Sequence, residues 1–160
     1  MSGIGELQTV SAVFDLLKLA QKAGQFLQRV RDADEVASKV LELVQRLTRV
    51  LDGVHAALLK RDESGIPTAS PDSNCIEKSI KESVQACARY LQNLQDHVGG
   101  FDSEGTPSPN LLQRFRIACR RSGIIRRQTE LEAQISILQT ELVVLHLYAY
   151  SHTSKPRSSR

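Results

Sequence analysis

The stretch from Asp34 to Leu59, DEVASKVLELVQRLTRVLDGVHAALL, constrains the fold more than any other part of this chain. Its apolar side chains fall at Val36, Val40, Leu43, Leu47, Val50, Val54 and Leu58, in steps of 4, 3, 4, 3, 4 and 4. That period is helical and nearly heptad, so one face of a long helix must find another apolar face to cover it. Asp32 precedes Glu35 by three residues, a D-x-x-E pattern that can cap the helix start.

The same pattern recurs along the chain. Residues 6–31 form a preceding helix with Leu7, Val10, Val13, Phe14, Leu17, Ala20, Gly24, Leu27 and Val30 on or near one stripe. The connection at Arg31–Ala33 is very short, which makes the two helices antiparallel neighbours. Residues 60–73, rich in Gly, Pro and Ser, read as a loop. Asn74 and Glu77 then cap a helix with Ile76, Ile80, Val84, Cys87, Leu91, Leu94 and Val98 in line. GGFDSEGTPSP, 99–109, ends it. A last helical region runs from about Asn110 to Tyr150, with Leu131, Ile135, Leu138, Leu142 and Leu145 at steps of 4, 3, 4 and 3. Gly123 interrupts it.

No strand-like alternation competes. The expectation is an all-α fold, an antiparallel four-helix bundle over residues 1–150, with the last helix kinked or split near Gly123 to give five. Its rival is a long coiled-coil dimer, against which the two Pro-containing loops argue. Residues 151–160, SHTSKPRSSR, read as a flexible basic tail or the start of a linker.

Charge is unevenly spread over the 160 residues. QRFRIACRRSGIIRRQ, 113–128, holds Arg114, Arg116, Arg120, Arg121, Arg126 and Arg127 and no acid. Lys155, Arg157 and Arg160 form a second basic zone, which leaves 12 basic and 18 acidic residues elsewhere. On a helical wheel, Leu111, Leu112, Phe115, Ala118 and Cys119 share one arc. Arg116 and Arg120 lie together opposite it, and Arg114 and Arg121 on another flank. A continuous helix adds Arg127 to the Arg116–Arg120 row. Two readings stand open: a solvated face paired with acids such as Glu77, Glu82 or Asp96, or a patch that grips acidic lipid headgroups or an acidic partner. Nucleic acid fits poorly, because aromatics are 4% and no base-reading motif occurs.

Chemistry-bearing motifs are missing. His55, His97, His146 and His152 are unpaired at metal-ligand spacing, and HExxH, CxxC, GxGxxG, a phosphate-binding GxxxxGK[ST] loop and GxSxG do not occur. No enzyme activity, catalytic residue, metal, cofactor or small-molecule substrate is expected. Cys87 and Cys119 lie on apolar stripes and read, with Cys75, as free thiols of a reducing cytosol. Neither a signal peptide nor a transmembrane run of 18 apolar residues is visible.

The order of IGELQTVSAVFDLLKLAQKAGQFLQRV, a short turn, DADEVASKVLELVQRLTRVLDGVHAAL, CARYLQNLQDHV and LLQRFRIACRRSGIIRRQTELEAQISILQTELVVL resembles the helical N-terminal domains of fungal NACHT, ankyrin and related NLR-like (STAND) receptors, the HeLo and HeLo-like group. The resemblance spans residues 4–150. It implies a non-enzymatic signalling or effector bundle of a receptor or cell-death and incompatibility protein. Such a domain works by self-association or a protein partner, and is cytoplasmic with recruitment to acidic membranes on activation. It also implies a first helix that acts on membranes, here through Val10, Val13, Phe14 and Leu17. The basic stretch lacks the Trp common in such domains, and Phe115 or Ile117 stands in its place. The alternative is a structural adaptor that docks a partner helix without membrane activity.

Overall fold

The computed structural model describes residues 2–32, 34–63, 71–101 and 109–153, and the side chains of residues 2–7, 62–63, 71–74, 109–110, 122 and 150–153 are left aside. Five helices fill these stretches: α1 (Ser2–Val30), α2 (Glu35–Glu63), α3 (Pro71–Val98), α4 (Pro109–Ser122) and α5 (Ile124–Thr153). No strand occurs among the described residues. Gly123 splits the last helical region, with φ of +67°, a conformation that carries a Cβ penalty for every other residue type. Its carbonyl accepts the Arg127 N–H at 3.0 Å and so opens the ladder of α5.

The helix starts differ from the expected caps. Asp34, not Asp32, caps α2: its Oδ1 accepts the Val36 N–H at 2.8 Å, the second helical amide. Asn74 is already inside α3, whose first helical position is Pro71, and α4 likewise begins at Pro109. Proline suits that position because its fixed φ is helical and the missing N–H would be unbonded anyway. At the other end of α3, Gly100 N–H donates back to the Gln95 carbonyl at 2.9 Å. Helix α5 runs three residues past the expected boundary at 150, since each added residue completes a further backbone bond. The expected 60–73 loop is shorter than its composition suggested, since 60–63 belong to α2 and 71–73 to α3; its middle, 64–70, the 102–108 part of the 99–109 loop and the rest of the expected tail, 154–160, lie outside the described residues.

Helix α1 packs on α2 and α3, and α5 packs on the same two from the other side. Contact pairs give the directions. Phe14 stacks on His55, while a Cβ at Gly24 would lie 3.8 Å from Val44, so α1 and α2 are antiparallel. Ser79 donates to Glu141 and Tyr90 to the Ile124 carbonyl, so α3 and α5 are antiparallel too. In contrast, Arg46 reaches Gln139 and Glu132, and Gly53 faces Leu142. Those numbers rise together, so α2 and α5 run the same way. Gly53 is the point of closest approach, where a Cβ would fall 2.8 Å from Leu142 Cδ2.

One core joins all five helices. In α3 each residue of the expected stripe is buried, as are Leu131, Ile135, Leu138 and Leu145 of α5. In α2 the buried face is broader than the single seam: Ala37, Leu41, Val44 and Leu51 join it, while Val36 and Leu43 are only half-buried. In α1, Leu16, Ala23 and Phe26 belong to the core beside Val13, Leu17, Ala20, Leu27 and Val30. Among the described residues no helix is long and apolar enough to cross a membrane.

Candidate functional site

One end of the molecule gathers the end of α1, the start of α2, the end of α3 and the start of α5, and α4 lies there against α3 and α5. The α4 residues Leu111, Phe115, Ala118 and Cys119 turn inward. Phe115 is fully buried, with its ring centroid 6.4 Å from that of Phe26, which in turn meets Phe101 at 5.4 Å. It is therefore a core residue and no stand-in for a membrane-facing Trp. Ile117, on the opposite face, is 43% exposed.

The six arginines divide into two groups. Arg116 turns toward the protein: its Nε donates to Asp34 Oδ2 at 3.2 Å. Asp34 thus uses one carboxylate oxygen to cap α2 and the other to hold α4, and its side chain is only 14% exposed. Arg114, Arg120, Arg121, Arg126 and Arg127 are exposed and, among the described residues, make no ion pair or side-chain hydrogen bond. The acids expected to neutralise them do not. Glu77 pairs with Arg61 at 3.4 Å, and Glu82 and Asp96 stand exposed on α3.

The break at Gly123 changes the wheel geometry. Arg127 cannot continue the Arg116–Arg120 row, because it belongs to the first turn of a different helix. The unpaired guanidiniums instead flank the bend, Arg120 and Arg121 before it and Arg126 and Arg127 after it. Ile117 sits between Arg120 and Arg121 on the outer arc of α4, and Ile125, 54% exposed, precedes Arg126 and Arg127 in the first turn of α5. Isolated exposed apolar side chains are ordinary; one between two unpaired arginines and one next to two more make a mixed cationic and apolar surface.

Behind this surface the environment is dry. Burial pushes the Cys119 thiol up to about 11, with the nearby Asp34 charge adding to it. Burial also raises the Tyr90 phenol, whose hydroxyl donates to the Ile124 carbonyl at 3.4 Å and ties α3 to the bend. Cys87 in α3 is pushed up to about 12 by burial alone. All three cysteines are free, with Cys75 exposed.

The first-helix residues are not brought to this site. Val13 and Leu17 are core, Val10 packs against it, and Phe14 is exposed, its ring stacked on His55 of α2 at 5.5 Å with Lys18 Nζ 4.4 Å above it. Among the described residues no group of His, Cys, Asp or Glu gathers in a form that could hold a metal ion. Comparison with protein-family models, with curated proteins and with solved structures finds no match.

Proposed function

We propose that this chain is a non-enzymatic signalling domain whose α4–α5 bend attaches to acidic membrane surfaces, in the manner its likeness to HeLo-type receptor domains implies. In this reading α1, α2, α3 and α5 form a four-helix bundle made of the α1–α2 and α3–α5 hairpins, with α4 closing one end. The domain is cytoplasmic at rest and passes on activation by self-association once recruited to the membrane.

The observation that carries the reading is the cluster of five exposed arginines without carboxylate partners among the described residues, with Ile117 and Ile125 exposed beside them. A guanidinium near an anionic bilayer gains about 1 kcal/mol. Its planar fork also suits phosphate oxygens. Apolar side chains beside it can enter the headgroup boundary, as in surface-lying amphipathic helices. Spanning is not required: Asp15 and Lys18 on α1 would each cost about 2.5–3.5 kcal/mol at a bilayer centre.

Vesicle co-sedimentation tests this. The chain binds phosphatidylserine vesicles but not neutral ones, and binding weakens as salt rises because surface charges are screened. The triple variant R120E/R121E/R127E loses binding. Arg116 is left alone so that its bond to Asp34 survives. Equal binding to neutral and acidic vesicles, or none to either, rejects the proposal.

A further inference from the structure

The bend that carries the arginines also carries a hydroxyl. Arg126, Arg127, Gln128 and Thr129 spell R-R-x-T, with arginines three and two residues before the hydroxyl. An R-R-x-S or R-R-x-T run occurs once in the chain. Arginine-directed protein kinases read that spacing. Carboxylates in the kinase cleft take the two guanidiniums as charge-assisted pairs and so set the hydroxyl against the phosphoryl donor.

The structure leaves these groups open to such a reader. Arg126, Arg127 and Thr129 are exposed, and among the described residues neither arginine has a carboxylate partner. The hydroxyl is uncommitted too. Thr48, Ser136 and Thr140 each donate to the carbonyl four residues back, at 2.8, 3.1 and 3.1 Å. Thr129 has the same option at the Ile125 carbonyl, yet its hydroxyl makes no hydrogen bond among the described residues. A kinase takes its substrate in extended form. The segment lies in the first two turns of α5, beside the break at Gly123, and helix ends open most readily. Ile124, buried and held at its carbonyl by Tyr90, slows that opening without covering Thr129.

We propose that Thr129 is a phosphorylation site for an arginine-directed protein kinase, and that its phosphate releases the bend from acidic membranes. The release rests on the membrane reading above; the site does not. The Thr129 Oγ attacks the γ-phosphorus of Mg-ATP. The Oγ–P bond forms as the bond from that phosphorus to the β-phosphate oxygen breaks, ADP leaves, and the hydroxyl proton passes to the catalytic aspartate of the kinase. The product carries about −1.5 to −2 charges at neutral pH where the hydroxyl carried none. Arg126, three residues earlier on the same face of α5, pairs with it. Glu132, three residues later, is turned to Arg46 of α2 and does not take Arg126 away. Arg120, Arg121, Arg126 and Arg127 together thus lose about half their net charge. Each cation at an anionic surface contributes about five-fold to binding, so two lost charges weaken it about 30-fold.

The folded chain is incubated with Mg-ATP and the catalytic domain of cyclic-AMP-dependent or calmodulin-dependent protein kinase, both arginine-directed. Intact-mass spectrometry shows one phosphate added, and Thr129→Ala takes up none. R126A/R127A is modified far more slowly. A peptide of residues 122–132 is modified faster than the folded chain, because it has no helix to open. Absence of phosphate on the folded chain with both kinases overturns the site, as does a phosphate that persists in Thr129→Ala. Equal rates for the parent and R126A/R127A overturn the role of the arginines.

The phosphorylated chain then goes onto phosphatidylserine vesicles. It binds about 30-fold more weakly than the parent, with unchanged far-UV helicity. Thr129→Ala treated with kinase in the same way binds like the untreated parent. Equal binding of the phosphorylated and unmodified chains overturns the release. A chain that takes phosphate at Thr129 but binds no vesicles sinks the membrane reading and leaves the site standing. Vesicle binding by a chain that takes no phosphate sinks only the site.

Discussion

Helices α3 and α5 lie side by side, run in opposite directions and are of similar length, yet they finish folding differently. The apolar residues of α3 form one stripe and all of it is covered; among its described residues no large apolar side chain is exposed. Helix α5 buries one stripe against α2 and α3 and leaves Ile125, Ile137, Val143, Leu147 and Tyr148 facing outward. A helix with one apolar face is satisfied by its own chain. A helix apolar on both faces is covered on one side and leaves apolar surface exposed on the other.

Core truncation sharpens that contrast most. Leu94→Ala in α3 costs about 2–5 kcal/mol, the usual range for emptying a fully buried leucine. Leu147→Ala in α5 changes monomer stability by no more than about 0.5 kcal/mol, as for surface sites. Urea melts at low protein concentration measure both, and equal losses would break the comparison. Next in size, Gly53→Val costs about 1–3 kcal/mol through overpacking against Leu142. A matching valine at Gly24, where the space is ordinary, costs less.

Asp34→Ala removes the α2 cap and the Arg116 bond together, and costs about 1–2 kcal/mol in the same melts. Asp34→Asn keeps an oxygen for the cap and loses only the charge, so its loss is smaller. The smallest effect is chemical. Cys75 reacts readily with a thiol reagent at neutral pH, while Cys87 and Cys119 are slow until the chain unfolds. Burial holds both thiols above their ordinary value of 9.0, so the unfolded chain releases their protons first. Their contribution is intact below pH 9 and stability falls as pH rises from there through about 11 and 12. A flat urea midpoint across that window would contradict their burial.

The helical content and the α3 stripe were legible because the evenly spaced apolar line of α3 is the line its neighbours α1, α4 and α5 cover. Helix α2 buries a wider face against α1 and α5, and a single seam drawn through it picks up Val36 and Leu43 while missing Ala37, Leu41, Val44 and Leu51. Phe26 was hidden for the same reason: it lies beside the Gly24–Leu27 line, and its partners Phe101 and Phe115 are far off in sequence. The exposure of the arginines followed from the wheel. Their division did not, since Asp34 and Arg116 stand 82 residues apart and only the placement of α4 joins them.

The bend at Gly123 also sorts the guanidiniums electrically. Aligned peptide dipoles leave the last turn of α4 partly negative and the first turn of α5 partly positive. Arg120 and Arg121 sit over the carbonyl end that attracts them, whereas Arg126 and Arg127 sit over the amide end that repels them, with no acid in that turn. The second pair is thus the worse placed for the isolated molecule, and any anion arriving at the bend relieves an opposition that folding has left standing.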